Sequence, residues 1–149
     1  MTQLINKIAP ALLAVSASTM TFGIGAVALS TPVMAAELSD SGSFYGAGSY
    51  DTSGRAEIVK LKGGGFGLKL HGNFKTNSAP DLRIWLSEAA TPKSKRAVRA
   101  AEYVDLGRLK SSSGEQIYRI PSSVDVELVR SAVIWCRAFG VFFGAANLS

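Results

Sequence analysis

The sequence predicts an all-β protein: one antiparallel β-sandwich or barrel-like domain, preceded by a cleavable signal peptide. Three observations predict it. The chain has 149 residues, a one-domain length. Beyond residue 43, apolar and polar residues alternate with period two, and turn formers recur about every eight to twelve positions, as antiparallel strands require. Ahead of that pattern stands a charge-free apolar run of a different kind.

That run is the first element. Met1 to Lys7 carries one positive charge and no acid, and Ile8 to Leu29 carries no charge at all. Pro32 then breaks any helix, and Val33-Met34-Ala35 places small residues where a signal peptidase cuts. Charged, apolar and small-residue segments in this order make residues 1–35 a signal peptide, so the mature protein is expected to be secreted or periplasmic. A retained anchor is the alternative, since the stretch is long enough to span a membrane. Pro32, the Val-x-Ala site and the lack of a basic stop-transfer cluster favour cleavage, which leaves no membrane span. There is no twin arginine and no lipobox cysteine near the site.

The polar residues Glu37 to Ser43 read as a lead-in, with 36–41 set aside and the domain placed at 42–149. Arg55–Lys62 alternates, Gly63-Gly64-Gly65 supplies a turn, and Phe66, Leu68 and Leu70 then face one way while Lys69 and His71 face the other. This predicts a hairpin with a dry face and a wet one. Asn73–Asp81 reads as loop, and Leu82–Leu86 as the next strand. Residues 88–101 predict a long loop or a short helix after Pro92. Tyr103–Leu109, Gln116–Ile120 and Ser131–Leu148 complete the strands, the last bent at Gly140. Ala132–Cys136 is apolar on both faces, as expected of a central strand.

Composition excludes much chemistry. Cleavage would remove all three methionines and Lys7, leaving 15 basic against 11 acidic residues, about +4. The basic residues are scattered, which argues against nucleic acid as a partner. With one His and one Cys, a mature monomer cannot build a bis-His or His/Met haem site, a closed Cys/His zinc site, an iron–sulfur cluster or a Cys-x-x-Cys redox pair. No metal site is expected. A Gly-x-Ser-x-Gly elbow and a phosphate-binding glycine motif ahead of a helix are both missing from the sequence.

Few groups remain. Cys136 is either a small core residue or a redox thiol or ligand; Ile134, Cys136 and Ala138 share a face, with Arg137 opposite. A monomer is expected, with a Cys136-linked dimer as the variant. His71, beside Lys69, is a surface histidine or a weak ligand. Asp81 is expected to accept backbone N–H bonds in its turn. Trp85 and Trp135 lie opposite the plainest apolar rows, as a second core or an exposed aromatic patch. Lys93, Lys95, Arg96 and Arg99 form the one local basic cluster, either a solvated loop or a contact for an anionic surface.

Three blocks carry a resemblance. They are Pro80-Asp81-Leu82 running into Trp85-Leu86-Ser87; Leu106-Gly107-x-Leu109-Lys110 with Gly114-x-Gln116-x-Tyr118-x-Ile120-Pro121; and Val133-Ile134-Trp135-Cys136-x-x-Phe139 ending in Phe143-Gly144-x-Ala146. In order and spacing they resemble the DM-thirteen domain, the electron-transfer domain of Skeletor and DOMON-associated proteins. The likeness covers residues 42–148. It implies an extracytoplasmic β-sandwich-like domain in which Cys136 takes part in redox chemistry, as a bare thiol or through a bound group such as haem. Tyr50-Asp51-Thr52 stands where relatives often carry histidine, which removes a second ligand. The expected function is therefore electron transfer or thiol redox chemistry centred on Cys136, with a redox or envelope partner. The rival is a non-catalytic binding or matrix module recognising a glycan, an envelope component or a protein. Hydrolysis ranks last, because no acid, base and nucleophile converge.

Overall fold

The computed structural model describes residues 40–148, so the expected signal peptide lies outside the described residues. Within them the strands are β1 (Ser41–Gly46), β2 (Thr52–Ser53), β3 (Arg55–Lys60), β4 (Phe66–Leu70), β5 (Lys75–Thr76), β6 (Leu82–Ser87), β7 (Tyr103–Arg108), β8 (Gln116–Arg119), β9 (Ser131–Cys136) and β10 (Val141–Asn147). Helix α1 (Lys95–Ala100) lies between β6 and β7, and a 3-10 turn (Val126–Leu128) precedes β9. Eight strands form one antiparallel sheet in the order β7-β6-β9-β10-β1-β3-β4-β8, while β2 and β5 pair separately.

Strand β1 turns the sheet's corner. Ser41, Gly42 and Ser43 pair with Glu57, Ala56 and Arg55 of β3; Phe44, Tyr45 and Gly46 pair with Ala146, Ala145 and Gly144 of β10. One strand thus serves both halves, and the sheet curls into a nearly closed barrel. Side chains bridge the remaining gap beyond β7 and β8. The Lys110 amide donates to the Tyr118 hydroxyl at 2.8 Å, and Gln116 Nε2 donates to the Ser111 carbonyl at 2.7 Å.

Two apolar clusters use opposite faces of the wall. The inner one gathers Ala56, Ile58, Leu68 and Leu70 from the β3–β4 hairpin with Leu82, Ile84, Ile134, Phe143 and others. The predicted dry face of that hairpin is the buried one. The outer cluster holds Trp85, Val98, Val133, Trp135, Phe142 and Ala145, so the tryptophans form a second core. Its lid is α1, which the 88–101 stretch forms in place of a long loop. Ser94 caps the helix, its hydroxyl accepting the Ala97 amide at 3.2 Å, and Val98 is buried.

Two expectations need correction. Ser41–Ser43, read as lead-in, are strand, because ladder bonds need backbone and not apolar side chains. Asn73–Asp81, read as loop, contains β5. A two-residue strand has no periodicity to read, and its anchor is a buried hydroxyl pair, Thr52 Oγ1 and Thr76 Oγ1 at 2.9 Å, with Thr52 also donating to the Phe143 carbonyl at 3.1 Å.

Gly42 is tightly constrained. A Cβ there would meet the Asn147 carbonyl oxygen at 1.6 Å, whereas a Cβ on Gly63 would meet nothing within 4 Å. Gly42→Ala is expected to destabilise the domain by about 1–3 kcal/mol or more through overpacking against backbone, while Gly63→Ala stays within about 1 kcal/mol of the parent. Urea unfolding followed by tryptophan fluorescence checks the pair.

Candidate functional site

The site grows from β9. It is flanked by β6 and β10, and all six of its residues are buried. Alternation sends Ala132, Ile134 and Cys136 to the inner core and Val133 and Trp135 to the outer one. Cys136, the chain's one cysteine, faces Leu82 on β6 and Val141 on β10 and is fully buried. The strand ends there, so Ala138 lies in the exposed turn and not on the cysteine's face.

On the outer face the aromatics stack in a row. Trp85 and Trp135, on adjacent strands, have ring centroids 4.8 Å apart and planes inclined by 19°. Tyr103 of β7 lies on Trp85 at 4.0 Å and 13°. Each such contact adds about 0.5–1.5 kcal/mol beyond area burial. Helix α1 sets the guanidinium of Arg99 over the Trp135 ring, 5.8 Å from its centroid. Both tryptophans are buried, while Tyr103 is 46% exposed. The row therefore runs from the middle of the sheet to the surface. Trp85 Nε1 is buried with no hydrogen-bond partner among the described residues.

Asp81 clamps the end of the sheet beside Cys136. Its carboxylate accepts from Arg137 Nε at 2.8 Å and from Arg83 Nε at 3.1 Å, with Arg108 Nε at 3.6 Å. Its carbonyl accepts the Arg137 amide at 2.9 Å, which ties β6 to the end of β9. Arg83 also reaches Asp105 at 3.8 Å. The expectation of backbone N–H partners for this carboxylate is corrected: three arginines, far apart in sequence, converge on it. Burial pushes its pKa up, but the hydrogen bonds and charges of Arg137 and Arg83 outweigh that and hold it below the usual range.

The other expected residues lie elsewhere. His71 sits on the outer face of the β3–β4 hairpin, its Nε2 2.9 Å from Glu57 Oε2. The structure does not bring it to Cys136, which points into the inner core. Nor do these residues fit a haem site. The Cys136 side chain is enclosed by apolar core and offers no open face to an iron. Lys93, Lys95, Arg96 and Arg99 are gathered, exposed, on α1 and just before it, with Arg99 engaged on Trp135. The sequence reading missed Tyr103 altogether. Its one available signal was that the two tryptophans fall on the non-core side of their strands, where a third ring could join them.

The Asp81 clamp makes a signed prediction. A carboxylate whose folded pKa is depressed stabilises the fold above its unfolded pKa, about 3.9, and that contribution is lost as pH falls through the lower folded value. The wild type should lose stability as pH falls below about 4. Asp81→Asn should be less stable at neutral pH and show a flatter acid limb. Thermal melts from pH 7 to pH 2 check this.

Comparison with protein-family models matches residues 44–148 to the family described as Electron transfer DM13. Neither the curated proteins nor the solved structures contain a significant match. The family model spans well over half of the chain and takes in β2 to β10 with the second half of β1. It also includes Cys136, Asp81 and the whole aromatic row, and on that match the chain belongs to the DM13 electron-transfer domain family.

Proposed function

We propose that this chain carries single electrons outside the cytoplasm, between a redox partner that meets it at Tyr103 and the buried end of β9 at Cys136. The carrying observation is the Tyr103–Trp85–Trp135 row, stacked at 4.0 and 4.8 Å. Disulfide exchange needs a thiolate that touches the partner's sulfur, and Cys136 is enclosed. Electrons need no such contact, and the stacked rings offer them a path along the outer face. Trp135 and Cys136 are chain neighbours on opposite faces, so the row and the thiol share one stretch of backbone.

Two groups can hold the vacancy an electron leaves. Tyr103 gives an electron to an oxidising partner and its phenolic proton to water; a reducing partner returns the electron and water returns the proton. Cys136 would lose its thiol proton on oxidation. It stands next to the exposed turn Arg137–Phe139, so an opening of that strand end would give the proton a way out. The working place is the periplasm or the exterior, supported by the signal-like residues 1–35.

Flash oxidation by a ruthenium polypyridyl sensitiser with a one-electron acceptor tests the row. Paramagnetic resonance should show a tyrosyl radical in the wild type. Tyr103→Phe should replace it with a tryptophanyl signal, and Cys136→Ala should alter the radical's lifetime. A tyrosyl signal of unchanged yield in Tyr103→Phe would exclude the row as the path, and an unchanged lifetime in Cys136→Ala would remove Cys136 from it.

A further inference from the structure

Charge on the outer wall is far out of balance. Three arginines gather on that face at the Cys136 end of the sheet. Arg83 stands opposite Trp135 of β9 on one side and Arg108 of β7 on the other, and Arg137 reaches in from the turn after β9. Helix α1 and the residues just before it, laid over the same face, add Lys93, Lys95, Arg96 and Arg99. Against these seven cations stand two carboxylates, Asp81 and Asp105, both already engaged by arginine. The remaining described residues hold eight basic and eight acidic side chains, so the domain's surplus charge resides on this one face. None of the four cations of the α1 segment forms an ion pair among the described residues.

A second observation gives the basic face an apolar contact. The turn between β9 and β10 carries both Arg137 and Phe139. Phe139 belongs to neither core, and at 68% it is the most exposed large apolar side chain described. Two residues apart, its Cα lies within about 7 Å of that of Arg137. An exposed aromatic beside basic residues suits the interface of an anionic bilayer, with the ring among headgroups and the cations on lipid phosphates. A protein partner would call for an apolar centre to the patch. This face has none, because both tryptophans are buried and the free cations stand toward its two ends. A bilayer needs no such centre, since its headgroups rearrange beneath spread charge.

We propose that this face docks peripherally on an anionic lipid bilayer. Lys93, Lys95 and Arg96 meet lipid phosphates at one end; Arg108, Arg137 and the Phe139 ring engage the surface at the other. The docking stands apart from the electron-transfer reading.

The test is sedimentation of the mature protein, purified after export, with vesicles of phosphatidylglycerol and phosphatidylcholine in equal parts. Binding is expected at low salt, falling as salt rises, and absent with phosphatidylcholine alone. Lys93→Gln/Lys95→Gln/Arg96→Gln should weaken it by on the order of a hundredfold, about fivefold for each charge. Lys60→Gln/Lys62→Gln/Lys75→Gln removes the same charge from elsewhere on the domain and should weaken it by less than about tenfold. All six residues are exposed, and thermal melts check that both variants fold. Phe139→Ser should bind several-fold more weakly with an unchanged salt dependence. No binding to the mixed vesicles, equal binding to phosphatidylcholine, equal losses in the two triple variants, or undiminished binding by Phe139→Ser overturns the proposal. Polyglutamate is the last probe: tighter binding to it than to the vesicles would assign the face to an acidic protein and overturn the bilayer.

Discussion

Everything in this domain hangs on β9 being covered on both faces. A strand half exposed could bury one row of side chains; β9 buries two, in two different cores. Its backbone donors and acceptors find partners on β6 and β10, so the strand's burial leaves the ladder paired. The inner row makes the barrel's interior. The outer row would be an exposed apolar stripe without α1, and the 88–101 segment covers it. Most of the helix's residues face water, and its one fully buried member, Val98, sits in the same cluster as the tryptophans.

Much of this was legible in the sequence because period-two alternation is a local signal. The Arg55–Leu70 hairpin, the two-faced apolar run at Ala132–Cys136 and the burial of the cysteine all follow from which residues neighbour which. What was not legible depends on distance along the chain. Asp81 could be seen to start a strand, but nothing local says that Arg83, Arg108 and Arg137 will meet it. The β6–β7 register also shifts between Arg83 and Trp85, an irregularity that carries no apolar pattern of its own. Tyr103 was hidden for the same reason. It opens a strand with mixed exposure, and its value lies in a stack made across two neighbouring strands. The two threonines of β2 and β5 are buried polar residues joined to each other, which a hydropathy pattern reads as surface.

Charge is distributed with a division of labour. The arginines at the sheet end neutralise one buried carboxylate and hold β6 to β9 beside the thiol. The cations on α1 stand on the outer core's lid, and one lies over a tryptophan, where a fixed positive charge opposes removal of an electron from that ring. In the proposed electron-transfer role, the positive charge at the Trp135 end would make Trp135 the harder ring to oxidise and so favour a vacancy toward Tyr103. The gradient is set by the fold, since α1 and the β7 edge are placed by the same pair of strands.

The corner strand has a consequence for how the molecule comes into being. Its second half pairs with β10, so Phe44 meets Ala146 and the earliest strand waits for the last. Contacts this distant in sequence slow folding, because a long loop must close before the pairing rewards it. Until β10 arrives, β1 can join only the β3 side, and the barrel stays split along one seam. A chain built this way remains open through most of its synthesis, which suits a protein proposed to cross a membrane before it works. Once closed, the first and last strands of the barrel are neighbours, and neither can fray without opening the corner.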